Sequence, residues 1–170
     1  MTTITDLRPD TRVHATLDVV TLGLGGEMLA IPTSHLREVL EFGAVTRVPN
    51  AAAFSAGLIN VRGGVVPLCD LRLPLRMPLR EADEETRVLV LELPLAGTAS
   101  VIGIIAEKVH EVTRIETASL EDVPTVGSRW PPQFVNGVGR RDDAFLIMPN
   151  LDAIFAAHLP AAGAATALSC

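Results

Sequence analysis

Leu58-Ile59-Asn60-Val61-Arg62-Gly63-Gly64-Val65-Val66-Pro67-Leu68-Cys69-Asp70-Leu71 reads as two apolar strands joined at a Gly-Gly turn, with one arginine at its lip. The pattern returns 80 positions later: Gly57 to Leu71 lies without a gap over Gly137 to Leu151, and Phe54 over Phe134 extends the match upstream. A shorter echo sets Leu36-Arg37-Glu38-Val39 over Val109-His110-Glu111-Val112, with Ile31 over Ile104, at a spacing of 73. A seven-residue insertion reconciles the two spacings, and Pro124, Gly127, Pro131 and Pro132 place it within Thr117 to Pro132. The chain therefore reads as two similar β-lobes, about 13–80 and about 86–158, divided at the charged stretch Arg80 to Glu85.

Strand periodicity supports this division. Asp18 to Leu24 alternates Val20, Leu22 and Leu24 against Val19, Thr21 and Gly23, and Gly25-Gly26 turns the chain into a second strand, Glu27 to Ile31. Pro32-Thr33-Ser34 interrupts before Leu36 to Phe42, where Leu36, Glu38 and Leu40 share one side of the pleat. Pro49 and Ala51-Ala52-Ala53 form a connector, and Leu71 to Leu79 is a loop or short helix broken by Pro74 and Pro78. Val88 to Leu91 and Val101 to Ile105 are continuous apolar runs, short and β-branched, which predict fully buried strands. Asn150 to Leu159 predicts a closing helix capped by Asn150, with Leu151, Ile154, Phe155 and His158 on one stripe. Residues 1–12 form a polar leader, and Pro160 to Cys170 an Ala-rich tail expected to be flexible.

Bulk properties narrow the class. At 170 residues and 48% hydrophobic, the chain can bury one core without disulfide or metal staples. A net charge of -6, with 14 Lys and Arg residues scattered along the chain, opposes a nucleic-acid partner. Aromatic residues make up only 4% and tyrosine is absent, a palette of Val, Leu, Ile and Ala that suits barrels and sandwiches. Met1 to Arg12 has charges and no apolar run, so it does not read as a signal peptide. Pro94 to Ala106, an uncharged stretch interrupted by Gly and Pro, is too short to span a bilayer. Cys69 and Cys170 offer neither a disulfide framework nor metal-ligand spacing, and the expectation is a soluble protein of a reducing compartment.

Catalytic candidates are sparse. His14, His35, His110 and His158 are scattered singly, without the helical spacing that would give a metal two ligands. Gly23-Leu24-Gly25-Gly26 begins like a dinucleotide fingerprint but has Met28 where a glycine is needed, and a strand follows; it reads as a hairpin turn. Asp142-Asp143 reads as turn chemistry, while Asp70 and Asp152 read as caps. No cofactor is expected. Comparison of the lobes singles out Arg62, whose sister position is Asp142, so this residue reads as free for recognition through its bidentate fork, with Glu38 as its local acid if the strands are adjacent. An ordinary exposed ion pair of little net worth is the competing reading.

With these residues in hand, the chain resembles the CheW-type chemotaxis coupling proteins from about Val13 to His158. The resemblance is carried by Leu22-Gly23 with Gly25-Gly26-Glu27, Ile31-Pro32, Leu36 to Val39 and Val48-Pro49. It continues through Gly57 to Gly63, Val66-Pro67-Leu68 with Asp70-Leu71, Val109 with Glu111-Val112, then Gly137 and Leu146-Ile147. It implies a mainly β fold of two intertwined five-stranded SH3-like barrels with short helices, one of them C-terminal, and no catalysis. It also implies a cytoplasmic adaptor at receptor arrays, joining the regulatory domain of a CheA-type histidine kinase to the cytoplasmic tip of a chemoreceptor, with other CheW-like domains as possible neighbours. A groove between the lobes would take the receptor helices, and the positions of Glu38 and Arg62 are linked to coupling. The partner-binding residues so implied are Leu36, Glu38, Val39, Gly57, Asn60, Arg62, Val88 and Val109. The acid that often precedes the Val109 segment is here Glu107, after Ala106 where the family tends to have Val, and the proline-rich segment before Trp130 is not a family signature. Two alternatives stand beside this reading: the same fold in a chemosensory-like pathway controlling surface behaviour or a second messenger, and a β-barrel that binds a small ligand.

Overall fold

The structure, a computed structural model, describes residues 15–49, 54–95, 97–123, 129–141 and 144–158. His14, Ala51 to Ala53, Asp142-Asp143, the tail with Cys170, and Pro124 and Gly127 of the expected insertion lie outside these residues. Among the described residues the strands are β1 (Thr16–Leu24), β2 (Glu27–Pro32), β3 (Leu36–Glu41), β4 (Ser55–Val61), β5 (Gly64–Cys69), β6 (Arg87–Leu95), β7 (Thr98–Ala106), β8 (Lys108–Glu116), β9 (Val135–Arg141) and β10 (Ala144–Pro149); helix α1 (Leu151–His158) follows. They make two five-stranded sheets, ordered β8-β1-β2-β10-β9 and β3-β6-β7-β5-β4. Pairing is antiparallel except for two short parallel contacts, β2 with β10 and β5 with β7.

The sequence repeat is present, but the repeat is not the lobe. At the spacing of 80, the bounds of β4 and β5 fall on those of β9 and β10, and at the spacing of 73 the start of β3 falls within β8. Each sheet, however, mixes both halves of the chain. The first takes β1 and β2 from the N-terminal half and β8 to β10 from the C-terminal half, while the second is the contiguous run β3 to β7. The division expected at Arg80 to Glu85 is a loop within the second sheet, between β5 and β6. The chain instead passes between sheets at a 3-10 turn, Thr33–His35, and at Glu107.

The apolar pattern explains the exchange. Val88, Leu89, Val90 and Leu91 are four consecutive buried residues, which a strand can satisfy only if both of its faces are covered. In β6, Leu89 and Leu91 face a central core, while Val88 and Val90 face a smaller cluster with Ile59, Val66, Leu68 and Ile105. β1 and β2 do the same on the other side: Val20, Leu22, Leu29 and Ile31 enter the central core, and Val19 and Ala30 join Leu146 and Met148. The hairpins β1–β2 and β6–β7 therefore occupy inner positions of their sheets, with the largest core between them, and β3, β4, β8 and β9 are left as edges.

Edges need closure, and both lobes close alike. Thr46, in the β3–β4 connector, exchanges backbone hydrogen bonds with Leu58 of β4 at 2.8 and 2.7 Å; Glu121, in the β8–β9 connector, exchanges them with Val138 of β9 at 2.9 and 2.8 Å. Val138 is the sister of Leu58 at the spacing of 80. The preceding residue must then make room for the crossing connector. A Cβ on Gly57, whose φ is +151°, would stand 2.5 Å from the Thr46 carbonyl oxygen, and one on Gly137 would stand 3.0 Å from Leu120 Cβ. Helix α1 completes the fold: Asn150 Oδ1 accepts from Ala153 N–H at 3.1 Å as an N-cap, and Leu151, Ile154 and Phe155 are buried. Phe54 and Phe134, also 80 apart, both pack on His158, with ring centroids 5.2 and 5.3 Å away.

Two outcomes follow for stability and reactivity. Gly57→Ala loses about 2–4 kcal/mol in urea unfolding, combining strain with overpacking. Gly63→Ala, at φ +82° with open space around it, loses only about 1 kcal/mol. Cys69 is fully buried, and burial with the adjacent Asp70 charge pushes its thiol up to about 12. In a Cys170→Ser background at pH 8 only about one thiol in ten thousand is thiolate, so disulfide-exchange reagents titrate Cys69 in urea and not in the native protein.

Candidate partner-binding surface

The β4–β5 turn is built to present Arg62. Asn60 Oδ1 accepts from Gly63 N–H at 2.9 Å, and Arg62 itself has φ +53°, a left-handed conformation that aims its side chain off the end of the hairpin. Across the gap lies Glu38 of β3, at the opposite edge of the same sheet. Arg62 Nε and Nη2 donate to the two carboxylate oxygens at 2.9 and 3.3 Å, a bidentate link between edge strands. This hydrogen bond, then the Glu38 charge, raises the guanidinium pKa further. The link remains accessible, since the Arg62 side chain is 80% exposed and that of Glu38 24%.

The first sheet carries the same device. Glu111 of β8, the sister of Glu38, pairs with Arg141 of β9 across the equivalent edges. Comparison at a fixed spacing of 80 aligns Arg62 with Asp142 and so overlooks the arginine one position earlier. A Glu–Arg link between edge strands is thus a feature of both lobes, and the contrast with Asp142 does not separate Arg62 from the architecture.

Val39 lies on the opposite side of the β3 pleat from Glu38 and is 41% exposed. With Arg87 of β6, Glu85, and Lys108 and Val109 of β8, it lines a shallow groove of about 150 Å³ between the sheets. A wider open groove of about 530 Å³ shares Glu85 and Lys108 with it and runs past Glu107 and His110 to the β1–β2 turn and Phe145. The expected site residues therefore separate. Glu38 meets Arg62 beside the Asn60-capped turn, and Val39 and Val109 line the same shallow groove. Leu36 is half-buried against the central core. Gly57 makes room for the connector, and Val88, 2% exposed inside the second sheet, offers a partner no surface.

One cluster escaped the sequence reading. Asp70 Oδ1 accepts from Arg72 N–H, as a cap would, but its two oxygens also bind Arg72 Nε and Nη2 at 2.9 and 2.8 Å. Arg72 Nη1 then donates to Glu107 Oε2 at 3.0 Å and to the Arg80 carbonyl at 3.0 Å, while Glu107 Oε1 accepts from Gly25 N–H at 3.2 Å. Arg72 and Asp70 are 6% and 7% exposed. The cluster joins the end of β5, the crossover into β8 and the β1–β2 turn, where a Cβ on Gly25 would stand 2.4 Å from Met77. Its sequence signal was a single cation within the apolar run Leu71-Arg72-Leu73-Pro74-Leu75.

A family model described as the CheW-like domain matches residues 18–158. The chain belongs to the CheW-like domain family. Among its CheW-like relatives, chemotaxis protein CheW of Klebsiella aerogenes is 26% identical over 135 residues, 79% of each chain. Protein PilI of Pseudomonas aeruginosa is 29% identical over 126 residues, 73% of this chain and 67% of PilI. The crystal structure of scaffolding protein TtCheW from Thermoanaerobacter tengcongensis superposes with a TM-score of 0.74 at 28% identity, covering 83% of this chain and 88% of TtCheW. No helix among the described residues of the CheW-like chain is long and apolar enough to cross a membrane.

The buried cluster has a measurable weight. Arg72→Met leaves two carboxylates without their cation and lowers unfolding free energy by about 3–5 kcal/mol in urea titrations. Arg62→Ala, at an exposed link, leaves the urea midpoint essentially unchanged.

Proposed function

We propose that this CheW-like domain is a non-catalytic adaptor of bacterial chemotaxis signalling. It joins the regulatory domain of a CheA-type histidine kinase to the cytoplasmic tip of a chemoreceptor helical bundle, in the cytoplasm beside receptor arrays that also hold other CheW-like domains. The observation that carries this reading is the two-sided use of β3. One side of its pleat offers the exposed Glu38–Arg62 link, and the other offers Val39 to the interlobe groove with Val109. One strand thus serves two separate surfaces held by a single shared core, as an adaptor requires. Kinase contact is assigned to the Glu38–Arg62 edge, where a planar fork sets register, and the receptor helices to the groove, where apolar side chains supply buried area. Each contact is of the transient class, about 1,200 Å² or less, and gains strength through many copies in an array.

The similarity to PilI supports a second reading, the same adaptor chemistry in a chemosensory-like pathway controlling surface behaviour or a second messenger. A small-ligand barrel is less favoured. Around the wide groove Glu107 binds Arg72, Lys108 binds Glu85, Arg129 binds Glu27 and Arg80 binds Asp83, so these charges answer one another instead of facing a vacant site.

The deciding experiment is a pull-down of the purified chain with the regulatory domain of its cognate kinase and with a receptor cytoplasmic fragment. Wild type binds the kinase domain at micromolar affinity or better, and Arg62→Ala and Glu38→Ala lose that binding by tenfold or more while retaining the fold. Wild-type failure to bind any kinase from the same cell overturns the adaptor reading. A ligand-screen hit that raises Tm would then favour the barrel.

A further inference from the structure

The cluster Asp70–Arg72–Glu107 has no counterpart in the repeated architecture. The fold crosses between sheets twice, and the two crossovers correspond at the spacing of 73: Ser34 lies over Glu107. At the first, Thr33 Oγ1 donates to the Asp18 carbonyl at 3.2 Å, a neutral and exposed bond. At the second, the part-buried Glu107 carboxylate is clamped by the buried Arg72, which a second carboxylate, that of Asp70, holds in turn. The other half of the cluster is equally one-sided. At the spacing of 80, Asn150 stands over Asp70 and Asp152 over Arg72, and there the chain forms helix α1 instead of a turn with a buried cation. A fold that crosses once without this anchor does not demand it at the other crossing.

Position shows what it governs. Glu107 is the single residue between β7 of the second sheet and β8 of the first, and its own N–H donates to the Gly23 carbonyl at 3.0 Å. The next two residues, Lys108 and Val109, form one wall of the groove whose other wall is Val39. Apolar packing alone lets neighbouring elements slide, whereas charge-assisted bonds of 2.8–3.0 Å fix both direction and distance. We infer that Arg72 and Glu107 are positioning residues: their part-buried link sets where β8 departs from the second sheet, and so sets the width of the Val39–Val109 groove that takes the helical partner. This rests on the adaptor reading for the partner and on geometry alone for the groove.

The test separates the two. Glu107→Gln keeps volume and hydrogen-bonding capacity while removing the charge, and Glu107→Ala removes both; folding of each is checked by cooperative urea unfolding. Spin labels on Glu41→Cys of β3 and Glu116→Cys of β8, both exposed, in a Cys170→Ser background report the separation of the two strands. The expected result is a broadened and displaced distance distribution, larger for Ala than for Gln. With it comes a tenfold or greater rise in Kd for the receptor fragment and a kinase-domain Kd within twofold of wild type. An unchanged distance distribution in both folded variants overturns the inference, as does parallel weakening of both partners. If wild type binds neither partner the adaptor reading falls, and the distance measurement still decides whether the link sets the groove.

Discussion

Four strands with apolar residues on both faces are the constraint from which this structure follows. β1, β2, β6 and β7 cannot lie at an edge or on a single-sided sheet without exposing a row of Val, Leu and Ile. Placing the two hairpins back to back satisfies them, and the core between them becomes the largest in the molecule. Neither lobe can then be a unit of its own, because the face that would be its outside is the interior of the whole. Stability and shape are properties of the pair of sheets rather than of either one.

The same constraint decides what is left for recognition. With the apolar strands inside, the strands of mixed pattern, β3, β4, β8 and β9, are pushed to the edges, where unpaired backbone is a hazard. The fold manages these edges with connectors that cross them, at Thr46 and Glu121, and with Glu–Arg links over the remaining gap. Such links cost little to form or release because they are wet. An edge closed by exposed charge is protected against indiscriminate strand pairing and still open to a partner with matching charge.

Much of this was legible in the sequence, for reasons that differ by residue. Gly57 and Gly137 repeat because a connector crosses behind each, so the spacing of 80 reported a real steric demand. Phe54 and Phe134 repeat because both meet His158. The buried runs of β6 and β7 were readable from their continuous apolar character. Lobe membership was not, since periodicity describes each strand's faces and says nothing of which sheet receives it. Val88 came in with the family resemblance, although its position in an apolar run already marked it as interior. Arg72 was passed over because a charge in a proline-broken segment looks solvated until the two carboxylates that enclose it, one of them 35 residues away, are brought beside it.

Strand exchange also orders the protein's birth. The second sheet is drawn from one unbroken run, Leu36 to Ala106, whereas the first needs β1 and β2 from the beginning and β9 and β10 from near the end. As the chain leaves the ribosome, the second sheet has all its strands while the first has only its opening hairpin, whose apolar outer face must wait for residues still being translated. The contiguous sheet is complete in sequence first, and the shared core between the sheets can close only when β9 and β10 have followed.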